Sequence, residues 1–299
     1  MDITWNKVKL EDELLLKHYY GLEQSRSCEY TFANNYLWSP FYHYSYAIIE
    51  DALVFLSGDH GFSVSFPLGT KNIKPIMEIL MDYFKQVGKL FKMHMVTEEQ
   101  FARLEEVYPG QFQIEDNRNL ADYVYLSEKL GSLSGKKLHG KRNHINRFVQ
   151  EHPDWSYEDI DDSNREECEQ VAKDWRIKNG CEDDPEKHME SCVALNSLKM
   201  LERLELKGGL IRTGGKVVAF SVGEPVNDDT FVVHIEKAYA DVQGAYPMIN
   251  QQFVLHEAKE FTYVNREEDT GDEGLRKSKL SYYPEMLISK GYVTKIDEL

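Results

Sequence analysis

Two stretches of this chain carry residue types and spacings suited to holding phosphate. In the first, Thr230 to Phe253, Phe231, Val233 and Ile235 alternate with Val232, His234 and Glu236, the period-two pattern of a half-buried strand. Asp241, Gln243, Gly244 and Pro247 break that pattern, and Met248, Ile249, Phe253 and Leu255 resume near helical spacing with Pro247 in the first turn. A strand that passes through a glycine loop into a helix N-terminus leaves backbone N–H groups for an anion. A plain strand-to-helix connection is the other reading.

The second stretch runs from Lys129 to Gln150 and holds no acidic residue, yet it includes Lys129, Lys136, Lys137, Lys141, Arg142 and Arg147. Ser134 is placed to cap a helix over 135–149, on which Leu138, Ile145, Phe148 and Val149 form a narrow apolar stripe. Such a helix is basic around most of its girth. It either pairs with acidic neighbours or meets a phosphate-rich partner, a cofactor or an RNA. The run GSLSGKK is no P-loop, since its glycine spacing is one short and Lys137 stands where Ser or Thr is required. GSLSG is no nucleophile elbow either, because Leu133 takes the serine's place.

The elements that position these stretches read as α+β. The 299 residues have a formal net charge of −16, which disfavours nucleic-acid or anionic-membrane binding over the whole surface and makes a local basic patch informative. No apolar run approaches the ~18 residues of a membrane-spanning helix, and the charged N-terminus reads as no secretory signal. Cys28, Cys168, Cys181 and Cys192 have no close pairing pattern, so they read as reduced thiols of a cytoplasmic protein. Cys181, His188 and Cys192 match no common zinc spacing, and no metal is expected.

In order, the chain predicts helices at 11–20 and 30–38 and a meander of strands at 44–49, 52–56 and 62–66. A helix from Ile73 to Val87, a strand at 91–96, a helix at 98–107 and strands at 112–114 and 123–126 follow. Beyond the basic stretch come helices at 163–178 and 185–207, a hairpin through Gly214-Gly215, and the strand–loop–helix. A strand at 261–264, the acidic loop 265–274, a short helix at 275–281 and a last strand through Tyr292 and Val293 complete the chain. Glu267, Glu268, Asp269, Asp272 and Glu273 in that loop either compensate Arg276, Lys277 and Lys279 or select a cationic substrate.

From residue 163 this order resembles the acyl-CoA N-acyltransferase fold, with Val242-Gln243-Gly244-Ala245-Tyr246 matching part of its phosphate loop and Ala245 replacing a second glycine. Two longer stretches, YVYLSEKLGSLSGKKLHGKRNHINRF (123–148) and VNREEDTGDEGLRKSKLSYYPEM (264–286), resemble a bacterial family related to the C-terminal domain of lysyl-phosphatidylglycerol synthases. The resemblance implies tandem acyl-CoA N-acyltransferase-like domains, each a mixed, mostly antiparallel sheet flanked by helices. They are expected at 1–126, in degenerate form, and at 127–299. It also implies transfer of an acyl or aminoacyl group from a phosphate-bearing donor, acyl-CoA or aminoacyl-tRNA, to an amine. Those donors would be co-substrates, with no tightly bound cofactor.

Such a transfer needs a base for the attacking amine and an acid for the leaving group. Glu236 or His234 would be the base, and Tyr239, Tyr282 or Tyr283 the acid. Backbone donors at Gln243, Gly244 and Ala245 would hold a pyrophosphate or terminal phosphate, with Lys137, Lys141, Arg142 and Arg147 on further phosphates. The alternative is a binding or regulatory protein on the same fold, without turnover, that grips tRNA.

Overall fold

Local turn chemistry starts the first sheet. Glu50 and Asp51 both take positive φ, +47° and +64°, the backbone of a two-residue hairpin turn. They join strands β2 (Ser45–Ile49) and β3 (Ala52–Ser57), which pair antiparallel from Ile49↔Ala52 to Ser45↔Leu56. Strand β1 (Asn6–Lys7) borders β2, and β3 is followed by the short β4 (Ser63–Val64). Helices α1 (Glu13–Glu23) and α2 (Phe32–Tyr42) lie between β1 and β2 in sequence. Helix α3 (Lys74–Gln86) buries Ile76, Met77, Leu80 and Phe84, one face at helical spacing. It leads to β5 (Lys92–Thr97), which pairs parallel with β4 at Val64↔Met93.

Helix α4 (Glu98–Val107) starts on a capping box, in which the Thr97 hydroxyl accepts from the Gln100 amide and the Gln100 side chain accepts from the Thr97 amide. Strand β6 (Phe112–Asp116) follows.

The computed structural model describes residues 3–58, 62–180 and 184–296. The chain divides into one unit of Met1–Asp122, Glu268–Glu273 and Leu287–Leu299, and a second of Tyr123–Glu267 and Gly274–Met286. The first sheet has the order β1-β2-β3-β4-β5-β14-β6, where β14 is Lys290–Lys295, paired antiparallel with both neighbours.

The second sheet begins with β7 (Asp122–Leu126), which precedes helix α5 (Ser127–Ser132) and helix α6 (His139–Glu151). Strand β8 (Ser156–Asp159), helices α7 (Arg165–Lys178) and α8 (Pro185–Lys199), and the hairpin of β9 (Lys207–Thr213) and β10 (Lys216–Pro225) follow. Then come β11 (Thr230–Ala238), helix α9 (Ala245–Phe253), β12 (Tyr263–Asn265), helix α10 (Glu273–Leu280) and β13 (Met286–Ile288). The order is β13-β7-β12-β11-β10-β9-β8, with β11 and β12 parallel. Its core includes Tyr123, Tyr125, Phe148, Phe231, Ile249 and Phe253.

Two strands sit where sequence order does not place them. β7, expected with residues 1–126, lies in the second sheet, and β14, expected with 127–299, lies in the first. The basic helix also begins at His139, with Leu138 at its N-cap, rather than at Gly135. Gly135 has φ +90°, which an α-helix does not accommodate, and Ser134 caps nothing there. Helix α8 stops at Lys199 instead of reaching 207.

Candidate active site

β10 and β11 are out of simple register at one place. Val222 faces Ile235 and Gly223 faces Val233, so His234 is an extra residue on β11, a bulge. The bulge reverses the alternation beyond it, so that Glu236 and Ala238 share the face of Phe231 and Val233, the face that α9 covers. A Cβ on Gly223 would lie 2.2 Å from the Val232 carbonyl oxygen, which is why glycine sits opposite the bulge. β11 pairs with β12 only through Thr230, Phe231 and Val232. The ladder ends there because β12 ends at Asn265, and Glu236 lies beyond the last paired residue of β11.

Glu236 is anchored at both oxygens. Arg266 donates to Oε1 at 2.9 Å and Asn250 of α9 donates to Oε2 at 3.1 Å. The Arg266 guanidinium lies 4.9 Å from the Tyr282 ring centroid, and Lys141 Nζ lies 4.0 Å from the same ring. Arg266 Nη1, Asn250 Oδ1 and the hydroxyl of Ser221, which pairs with Glu236 across the strands, are buried without a partner among the described residues. Burial works against the charge on Arg266, yet Glu236 keeps its pKa above the ordinary value. Burial raises the Tyr282 phenol in spite of the neighbouring Arg266.

Downstream of β11 the loop turns into α9 through Gly244, at φ +88° and with no side-chain cap on the helix. A Cβ there would lie 2.6 Å from the His144 carbonyl oxygen and 2.9 Å from the Phe148 Cβ. Glycine thus lets α6 and α9 pack close. The Ala245 amide donates to the Val242 carbonyl, whereas those of Gln243, Gly244 and Tyr246 have no acceptor among the described residues, and Pro247 has no N–H. Lys141 and His144 of α6 join Ala240–Gly244, Tyr246 and Pro247 around a cleft of about 450 Å³.

The remaining candidate residues lie elsewhere. His234 is held between Glu224, 3.0 Å from Nε2, and Glu267, 2.7 Å from Nδ1. Burial alone would lower its pKa, but the two carboxylates outweigh burial and lift it to about 10. The Tyr239 hydroxyl donates to Asp174 of α7 at 2.6 Å. Arg142 donates to the Leu133 and Gly135 carbonyls and so closes the α5–α6 connection. Arg147 pairs with Glu151 one turn on. Lys137 sits 5.1 Å from the ring centroid of Tyr283, an exposed residue at φ +56°.

In the acidic loop, Glu267 faces His234 and Asp269 faces Arg118, while Lys279 Nζ donates to the Arg266 and Glu267 carbonyls. Cys192 lies 3.7 Å from His188, and Cys181 lies outside the described residues. Sequence reasoning did not single out Arg266, Asn250 or Ser221, and it placed His144 only on the helix face of Lys137 and Lys141. Only Arg266 has a local signal, a lone cation opening an acidic run.

Comparison with known proteins places the chain. A Bacteroides thetaiotaomicron structure described as a conserved protein of unknown function superposes with TM-score 0.93 and 34% identity, covering 98% of this chain and all of that one. The C-terminal domain of a putative lysylphosphatidylglycerol synthetase from Agrobacterium fabrum gives TM-score 0.67 at 11% identity, over 96% of this chain and 92% of that domain. The structure of L-PGS from Bacillus licheniformis gives 0.66 at 13%, over 98% and 94%; at those identities the likeness is of fold. An uncharacterised protein of Mycoplasmoides gallisepticum is 27% identical over 183 residues, 58% of this chain and 56% of that protein's length. No helix among the described residues is long and apolar enough to cross a membrane. Residues 20–293 match the family described as phosphatidylglycerol lysyltransferase, C-terminal, and the chain belongs to that family.

Proposed function

We propose that the protein transfers an acyl or aminoacyl group from a phosphate-bearing donor to an amine, using the second unit as its reaction site. The observation that carries this reading is the cleft at the uncapped N-terminus of α9, lined by Ala240–Gly244, Tyr246 and Pro247. Open amides and the positive end of a helix dipole favour a phosphate. Lys141 and His144 line the same cleft. An extended donor would lie with its phosphate in that cleft and its carbonyl near Glu236 and Tyr282, and the unpartnered Arg266, Asn250 and Ser221 atoms give its polar groups partners.

Three side chains have other work. Both ring nitrogens of His234 face carboxylates, which leaves no lone pair for a substrate proton. Tyr239 fixes α7 to β11, and Arg142 shapes the turn before α6.

The same reading takes the two units as tandem copies of one acyltransferase-like arrangement. Read from β1 and from β8, their sheet orders correspond strand by strand, each with a parallel pair at the fourth and fifth places joined through a helix. In each, the sixth place is filled by a strand distant in sequence.

A thermal-shift panel tests the donor class, using coenzyme A, acetyl-coenzyme A, and charged and uncharged tRNA at low and high salt. A ligand at ~100-fold its Kd adds about 2.7 kcal/mol of stability. Acyl-CoA chemistry predicts a shift that survives salt. An aminoacyl-tRNA donor predicts one confined to tRNA and lost steeply with salt, because many phosphates are then engaged. A shift with uncharged tRNA alone favours a tRNA-binding protein without turnover, and no shift with any ligand overturns the proposal.

A further inference from the structure

Among the side chains that line the cleft, Lys141 is a base without an anion. No carboxylate lies within ion-pair distance of its Nζ among the described residues, and the amine instead rests 4.0 Å above the Tyr282 ring. The charged and titratable groups around it come from five segments. Arg266 follows β12, Glu236 is on β11, Tyr282 follows α10, and Asp241 and His144 share the cleft from the loop and from α6 itself. Lys137, one turn earlier, faces Tyr283. Glu236 accepts from Arg266 and Asn250 rather than from Lys141, and acts on Lys141 only at longer range.

The two bases expected from the sequence are already engaged by neighbours. Glu236 is hydrogen-bonded at each oxygen, and His234 is clamped between two carboxylates. We infer that Lys141 is the proton acceptor of the transfer step and returns that proton to the leaving group. The inference rests on the acyl-transfer reading above.

As the attacking amine nitrogen bonds to the donor carbonyl carbon, its N–H proton passes to the lone pair of Lys141. As the carbon–sulfur bond of a thioester, or the carbon–oxygen bond of a ribose ester, breaks, the electron pair leaves with sulfur or oxygen. The Lys141 ammonium then protonates that atom. Amide and free thiol or alcohol result, Lys141 is again neutral, and nothing is oxidised or reduced. The surroundings suit the role: half-burial first, then the Arg266 guanidinium, push Lys141 down to about 8 against the pull of Glu236, so that neutral amine is present near neutral pH.

Two measurements on the full chain test this. Competitive labelling with trace acetic anhydride across pH, read by mass spectrometry, follows the titration of the Lys141 amine without any substrate. Titration well below that of exposed Lys216 is expected; titration alongside Lys216 overturns the inference whatever the donor proves to be.

The second measurement compares Lys141→Arg with wild type, using the donor that shifts the wild-type melting temperature and a simple primary amine. Arginine keeps the positive charge but does not release its proton near neutral pH. A proton-accepting role predicts retained donor binding with kcat lowered at least ~100-fold. A phosphate-contacting role predicts that Lys141→Arg stays active, and this result overturns the inference while leaving acyl transfer intact. If wild type turns over no donor, the acyl-transfer reading fails and this inference fails with it.

Discussion

Single residues carry much of this molecule's stability through charge compensation in places that water does not reach. In the first unit, Lys290 is buried and its Nζ lies 2.7 Å from Asp122 Oδ1, with Glu29 also in contact. Burial disfavours the ammonium, but the carboxylates of Asp122, Glu29 and Glu268 outweigh it and hold the pKa well above the ordinary lysine value. The same burial, with Asp122 and Glu29, pushes the Cys28 thiol up, so Cys28 donates to Asp122 and is a poor nucleophile. Removing one partner of a buried pair leaves the other charge uncompensated, at about 3–5 kcal/mol. Asp122→Ala is therefore expected to lower unfolding free energy by that amount in urea melts, with Asp122→Asn intermediate because the amide still offers an acceptor. A loss under 1 kcal/mol for Asp122→Ala would show that Lys290 finds water.

Elements were legible in the sequence where their cause is local. The β2–β3 hairpin, the helix at 98–107, the Gly214-Gly215 hairpin and the passage from β11 through Gly244 into α9 all follow from neighbours within a few residues. The bulge at His234 was not legible, because it depends on Gly223 across the strand pair. The Arg266–Glu236 pair, and Lys141 over Tyr282, join residues 30 or more positions apart, beyond any local periodicity. The start of α6 was misplaced because Gly135 bends the chain to positive φ and Arg142 holds that bend. At this scale Gly223→Ala is a direct probe. Its Cβ would meet the Val232 carbonyl at 2.2 Å and the Phe231 ring at 2.7 Å. Overpacking of this kind costs about 1–3 kcal/mol and would shift Glu236 away from Arg266. A melting temperature equal to wild type would mean that β10 and β11 separate freely there.

Over the whole molecule, pH dependence reports His234 more clearly than any other group. Its folded pKa of about 10 exceeds the unfolded value of about 6.5. The stability it contributes is therefore complete below about pH 6.5 and is lost as pH rises through about 10, with a slope of up to about 1.4 kcal/mol per pH unit. Lys141 works in the opposite sense: a folded pKa of about 8, below the unfolded value near 10.4, adds stability as pH rises through that range. The comparison is thus with His234→Gln, which keeps Lys141. The wild-type advantage over His234→Gln should shrink steadily from about pH 6.5 to about pH 10 in urea titrations. An advantage independent of pH would mean that the imidazole is neutral in the folded state.

The exchange of β7 and β14 between the sheets also sets a timetable for the nascent chain. In the finished sheet β6 pairs only with β14, yet the whole second unit is synthesised between them. At ~5–20 residues per second, β5 and β6 leave the ribosome roughly 10–35 s before the strand that joins them. During that interval their unpaired edges invite association with other chains, which makes the growing polypeptide a natural client for a holding chaperone. A product released before residue 290 lacks the strand that lies between β5 and β6 in the first sheet.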